Sequence, residues 1–162
     1  MPSVLASLSA AQALRDAGGS PEEFREAALR LAAAAHGALN EDAPASRRPP
    51  TLRDERRVAA ALRRIEAHHG AGLCLDELAA GSAVSPCHFL RIFEQVVGVT
   101  PGQYMLRMRL RRAALGLRLT SDTVAAVALE CGFEDLSTFN RQFRRAMGLT
   151  PGAYRARRSA PR

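Results

Sequence analysis

Two stretches fifty positions apart, "VGVTPGQY" (97–104) and "MGLTPGAY" (147–154), share Gly, Thr, Pro, Gly and Tyr in register. A repeat in a chain of 162 residues means that whatever the phrase builds is built twice. The phrase itself can be read. Gly suits the left-handed end of one helix, Thr caps the next, Pro sits at its first position, and in the first copy Gln103 completes a capping box. It is a corner between two helices. The matching continues upstream, where Phe89 pairs with Phe139, Arg91 with Arg141 and Phe93 with Phe143 at the same offset of fifty. Further back, "ELA" (77–79) pairs with "AVA" (126–128) at forty-nine, so the second copy gains one residue in its turn, "ECGFEDLS". Each copy reads as a short helix, a tight turn and a second helix with a basic outer face, a helix-turn-helix unit. A solenoid is the competing reading of a helical repeat, and two units are too few for one.

The rest of the chain follows the same helical periodicity. Alanine, leucine and arginine recur at spacings of three and four, and Asn-Gly or Asp-Gly hairpin signals are absent, so the expected class is all-α. "SPEE" places Ser20 as N-cap, Pro21 at the first position and Glu23 in a capping box, which predicts a helix over 21–39 with a weaker one before it. Residues 40–50, "NEDAPASRRPP", read as a linker. "TLRD" at 51–54 opens another helix, whose stripe Val58, Ala61, Leu62 and Ile65 ends near a turn at 69–72. Cys74 stands at the N-cap of the next helix where the second copy has Thr123, a sulfur-for-oxygen exchange that weakens the cap. Ser85 and Pro86 start the second helix of the first unit, with Phe89, Ile92, Phe93 and Val96 expected inside. The corresponding inner set in the second copy is Phe139, Phe143, Ala146 and Met147. The expected organisation is an Ala-rich helical N-terminal segment and linker over 1–50, a first helix-turn-helix subdomain over 51–105, a connecting helix over 101–117, a second subdomain over 118–157 and a basic tail over 158–162.

Charge narrows the partner. The formal net charge is +7 and every one of the 23 basic side chains is arginine. Residues 1–50 hold 5 Arg against 6 acids, while residues 51–162 hold 18 against 10, so the basic surface belongs to the repeat. Nucleic acid and an anionic membrane surface both suit such a surface. No run approaches the roughly 18 apolar residues of a membrane span, and no secretory signal opens the chain. Three cysteines in no paired spacing argue for reduced thiols and a cytoplasmic setting.

The motifs together resemble the C-terminal DNA-binding domain of the AraC/XylS family of bacterial transcription regulators, over about residues 55–157. The second copy, "VAAVALECGFEDLSTFNRQFRRAMGLTPGAYR" (124–155), follows that family's pattern of an apolar-Ala pair, Gly-Phe in the turn, a Phe, an Arg two further on and another Phe, then Gly-x-Thr-Pro and Tyr-Arg; "LAAGSAVSPCHFLRIFEQVVGVTPGQY" follows it too. The resemblance implies seven helices, with two helix-turn-helix units joined by one long helix and two recognition helices in successive major grooves of double-stranded DNA. A helix over 101–117 would be roughly 25 Å long at about 1.5 Å per residue, suited to spacing two readers by one DNA turn of roughly 34 Å once helix widths are added. The resemblance also implies an activator that contacts RNA polymerase. Members of the family usually carry a separate sensor or dimerisation domain, for which residues 1–50 are too few.

Site residues follow from face and family position. Base contacts are expected from Cys87, Leu90 and Arg91 on the first recognition helix and from Leu136, Ser137, Asn140 and Arg141 on the second. Arg forks onto guanine, Asn pairs with adenine, and the apolar side chains pack on a thymine methyl. Phosphate contacts are expected from Ser85, His88, Thr138, Arg144 and Arg145 and from Arg107, Arg109, Arg111 and Arg112 on the connecting helix, of which one or two must face inward or pair locally. Glu94 and Gln95 stand where the second copy has Arg144 and Arg145, so the first helix brings less positive charge. The helical spacing of Phe89, Phe93, Phe133, Phe139 and Phe143 makes them core rather than a base-stacking platform. His68, His69 and Cys74 lack metal-ligand spacing, and no cofactor is implied. Neither a phosphate loop nor a nucleophile with its base is present, so an enzyme is not expected. The alternative function is a protein-interaction adaptor that docks on DNA without sequence preference.

Overall fold

The computed structural model describes residues 26–28, 49–68 and 73–157. They contain helices and no strand: a helical segment at 26–28, then α1 (Leu52–Ala67), α2 (Leu75–Ala80), α3 (Pro86–Val97), α4 (Pro101–Leu119), α5 (Val124–Glu130), α6 (Leu136–Met147) and α7 (Pro151–Ala156). The expected helix over 21–39, most of the linker over 40–50, the turn at 69–72 and the tail over 158–162 lie outside the described residues, apart from 26–28 and 49–50. The connecting helix runs two residues beyond its expected end. The chain forms two compact units, Met1–Arg64 with Cys74–Tyr104, and Ile65–Leu73 with Met105–Arg162.

In the first unit, α1 starts on the capping box of Thr51 and Asp54, whose side chain and backbone groups bond reciprocally at 2.7–3.2 Å. Val58 and Ala61 of its stripe are buried and Leu62 is half-buried. Arg64 donates to the carbonyl of Glu77 at 3.0 Å, which ties α1 to α2. At the weak cap of α2, the Glu77 carboxylate accepts from the Cys74 amide at 3.0 Å, so part of the box is kept despite the thiol. The helix α2 packs on α3. The core contains Leu75, Leu78, Phe89, Ile92 and Phe93, with rings of Phe89 and Phe93 5.8 Å apart and those of Phe93 and Tyr104 6.1 Å apart. Gly98 closes α3 with φ 79°. Thr100 and Gln103 then form the box that opens α4, at 3.2 and 3.3 Å. Glu26, itself 3% exposed, accepts from the amide of Gly102 in the same first turn at 2.6 Å.

The second unit repeats the plan around Leu110, Ala113, Leu117, Val127, Ala128, Phe133, Phe139 and Phe143. Gly116 lets α4 and α5 approach, since a Cβ there would stand 3.2 Å from Val127. The rings of Phe133 and Phe139 lie 5.0 Å apart, and Tyr154 meets Phe143 edge-on at 5.3 Å. Between α5 and α6 the chain turns through Gly132 at φ 78°. The Gly132 amide bonds the Leu129 carbonyl at 2.9 Å and the Phe133 amide bonds that of Ala128 at 3.1 Å, the paired bonds of a Schellman ending.

The turn explains the shift in repeat offset. The left-handed residue of the first turn is Ala83, φ 53°, forty-nine positions before Gly132, whereas the N-caps that follow, Ser85 and Asp135, are fifty apart. The extra residue therefore lies after the left-handed position, where it brings Phe133 into the core.

Three inward and outward assignments are corrected. Leu90, expected outside on the first recognition helix, is 3% exposed and belongs to the packed face. Turning it to water would forgo about 1.5–3 kcal/mol of burial. Val96, expected inside, is 36% exposed, and Ala146, fifty positions on, is exposed as well. Both stand in the last turn of their helices.

Candidate nucleic-acid interface

Each recognition helix is set by its cap. Ser85 accepts from the His88 amide at 3.3 Å and Pro86 holds the first position of α3. At α6 the cap is Asp135, which accepts from the amides of Ser137 at 3.1 Å and Thr138 at 2.6 Å. Thr138, through its hydroxyl and its amide, the Ser137 amide, and the charge of Arg141 hold the Asp135 carboxyl below the usual carboxylate range. The aromatic residues of each helix face inward, which fixes what faces out.

On α3 the outward set is Arg91, Glu94 and Gln95, with Cys87 and His88 half-buried. The burial of Leu90 removes it from this surface. On α6 Leu136, Ser137, Asn140, Arg141, Arg144 and Arg145 are all exposed, and Thr138 is half-buried. Asn140, Arg141, Arg144 and Arg145 line one open groove of about 560 Å³ together with Thr150. Three guanidinium groups give this groove a concentration of positive charge, and Asn140 adds both a donor and an acceptor. Thr150 was not among the expected contacts. Its signal lay in the corner phrase, although its counterpart Thr100 is buried at 1% exposure and Thr150 is exposed. Gln142, on the same helix, is buried at 5% and faces away from the groove-lining set.

Arg91 and Arg141 each have a neighbour one turn back. Arg91 Nη2 lies 3.5 Å from His88 Nδ1, and Arg141 Nη2 donates to Thr138 Oγ1 at 3.3 Å. On α4, Arg107, Arg111 and Arg112 are exposed, while Arg109 is half-buried and engaged in the protein. The structure thus brings Asn140, Arg141, Arg144 and Arg145 together. Among the described residues no group of three or more His, Cys, Asp or Glu is arranged to hold a metal ion, and no helix is long and apolar enough to cross a membrane.

A family model described as a helix-turn-helix domain matches residues 78–157. The chain is 44% identical over 81 residues to an HTH-type transcriptional regulator of Mycobacterium tuberculosis, a match covering 50% of this chain and 31% of that protein. It spans about a third of the length of several curated relatives that it matches. Among solved structures, a transcriptional regulator with an AraC-type DNA-binding domain from Chromobacterium violaceum is similar at a TM-score of 0.60 and 30% identity, covering 69% of this chain and 100% of that one. The DNA-binding domain of AdpA, a global transcriptional factor solved with a target DNA, is similar at a TM-score of 0.59 and 30% identity over 62% of this chain and 91% of that one.

Proposed function

The chain belongs to the AraC-type helix-turn-helix family of DNA-binding transcriptional regulators, and from that premise we propose that it reads double-stranded DNA by sequence, with α3 and α6 in two successive major grooves. The observation that carries this reading is the pair Arg91 and Arg141, exposed at the same position of two matched helices. Each guanidinium forks onto the two acceptors of a guanine, and Asn140 beside Arg141 suits an adenine. Ser137 and Leu136 extend the second reader, while the first has the half-buried Cys87 and lacks a base contact from Leu90. Arg144, Arg145 and Thr150 hold phosphates, with Arg107, Arg111, Arg112 and Ser85 as further backbone contacts. Because the two readers differ in sequence, their half-sites differ, and the site is not a palindrome. Binding leads to activation through contact with RNA polymerase, the mode that the family resemblance implies.

Selection of bound sequences from a random DNA pool tests the reading. Arg91→Ala and Arg141→Ala are each expected to cost about 1–3 kcal/mol on the selected site and to relax preference at separate positions about one DNA turn apart. Relaxation at the same positions, or an unchanged profile in both variants, would sink the two-reader model. Run-off transcription from a promoter bearing the selected site, with and without the protein, tests activation.

A further inference from the structure

The outward faces of α3 and α6 share little beyond one arginine, yet that arginine is held in the same way in both. Arg91 meets His88 and Arg141 meets Thr138, in each case through Nη2 and in each case three residues back. Residues three apart on a helix are neighbours on one face. His88 and Thr138 are half-buried whereas the two arginines are exposed, so a sheltered side chain braces a solvent-facing one in both copies. Arginine offers donors only, so the first contact requires His88 Nδ1 to accept, with the ring proton on Nε2. In the second, the Thr138 hydroxyl that accepts from Arg141 also bonds the Asp135 carboxylate, which is fixed by two amides of the first turn. Two chemistries serve one geometry.

We propose that His88 and Thr138 are positioning residues that set base specificity by holding Arg91 and Arg141 in their reading conformations. The proposal rests on the base-reading role of those arginines given above. An unbraced arginine must be ordered when DNA arrives, at a cost equivalent to about two- to tenfold in affinity per side chain. At 3.5 Å the His88 contact is at the outer limit of a hydrogen bond, so its effect belongs at the low end of that range and the Thr138 effect at the high end.

Double-mutant cycles on the full chain test this against the site selected from random DNA. His88→Ala is expected to lose about twofold and Thr138→Ala up to about tenfold, and each loss should vanish when the partner is already Arg91→Ala or Arg141→Ala. The base profile should relax at the positions that the arginine substitution relaxes, with the salt slope unchanged. His88→Thr, which copies the second unit, should restore affinity and profile. Should an alanine variant lose helical circular dichroism, His88→Leu and Thr138→Val carry the same cycle. Equal losses with and without the arginine, or a loss on all DNA with the slope reduced by about one, would make these residues independent phosphate contacts and overturn the positioning role. If instead Arg91→Ala and Arg141→Ala leave the base profile unchanged, the base-reading function fails first, and the positioning role goes with it.

Discussion

Ala83 is the single non-glycine residue with positive φ among the described residues, at 53°, and the matching place in the second turn is held by Gly132 at 78°. Ala83→Gly therefore gives the first turn the residue that the second already uses. Holding an L-residue in the left-handed region costs roughly 1–2 kcal/mol, which glycine avoids. Against this, glycine widens the unfolded ensemble and costs about 0.4–1 kcal/mol. Ala83 is exposed, so its methyl group brings little packing to lose. At the middle of these ranges the balance is a gain of about 0.8 kcal/mol, or about 3–6 °C in melting temperature for a unit of this size. Thermal unfolding followed by far-UV circular dichroism, with urea midpoints as a second measure, checks it. Gly132→Ala should move both quantities the other way, because a Cβ at φ 78° strains a turn whose two amide bonds depend on that conformation. An unchanged or lower midpoint for Ala83→Gly would refute the reasoning.

Other consequences are open to measurement. Replacing Arg144 and Arg145 together with alanine should weaken binding to all DNA and lower the salt slope by up to about two, and an unaltered slope would remove them from the phosphate contacts. The Asp135 carboxyl titrates below its unfolded value, so its stabilisation is complete above about pH 4 and is lost as pH falls through the depressed value. Melting temperature should thus fall more steeply with acidification in the parent than in Asp135→Asn, and parallel curves would exclude the cap as a source of acid lability. Burial pushes the Cys131 thiol up, so iodoacetamide at neutral pH should label Cys74 and Cys87, both half-buried, well before Cys131. Equal labelling rates on peptide mapping would contradict that order.

The parts of the molecule legible in the sequence are those fixed by local chemistry. Ser85, Thr123, Thr100 and Thr150 cap helices as their side chains dictate, and Gly98 and Gly148 take the left-handed closing positions at φ 79° and 73°. The shift of the repeat offset from forty-nine to fifty marked the longer turn, and the two left-handed residues locate it. What could not be read was the width of each buried face. Spacing by three and four finds the middle of a helix face, whereas its edges depend on how far the neighbouring elements reach. Leu90, on the flank of Phe89, is covered; Val96 and Ala146, at matching places in the last turn, are not. Periodicity sufficed to put Arg141, Arg144 and Arg145 on the outer face of α6. It could not show that Thr150, in the next corner, lines their groove.

The bond between Glu26 and Gly102 spans 76 positions and is buried. A carboxylate bond of this kind pulls an amide proton strongly downfield, and glycine amides occupy a sparse region of a nitrogen–proton correlation spectrum. The Gly102 resonance is thereby a one-atom gauge of whether Glu26 is seated, readable during titration of nitrogen-15-labelled protein with DNA and without any attached probe group. Glu26→Gln should shift that peak upfield and leave the glycine peaks of the second unit in place. Gly152, fifty residues on in the second unit, has nothing among the described residues within 4 Å of where its Cβ would be, and so supplies the reference peak from the matching corner.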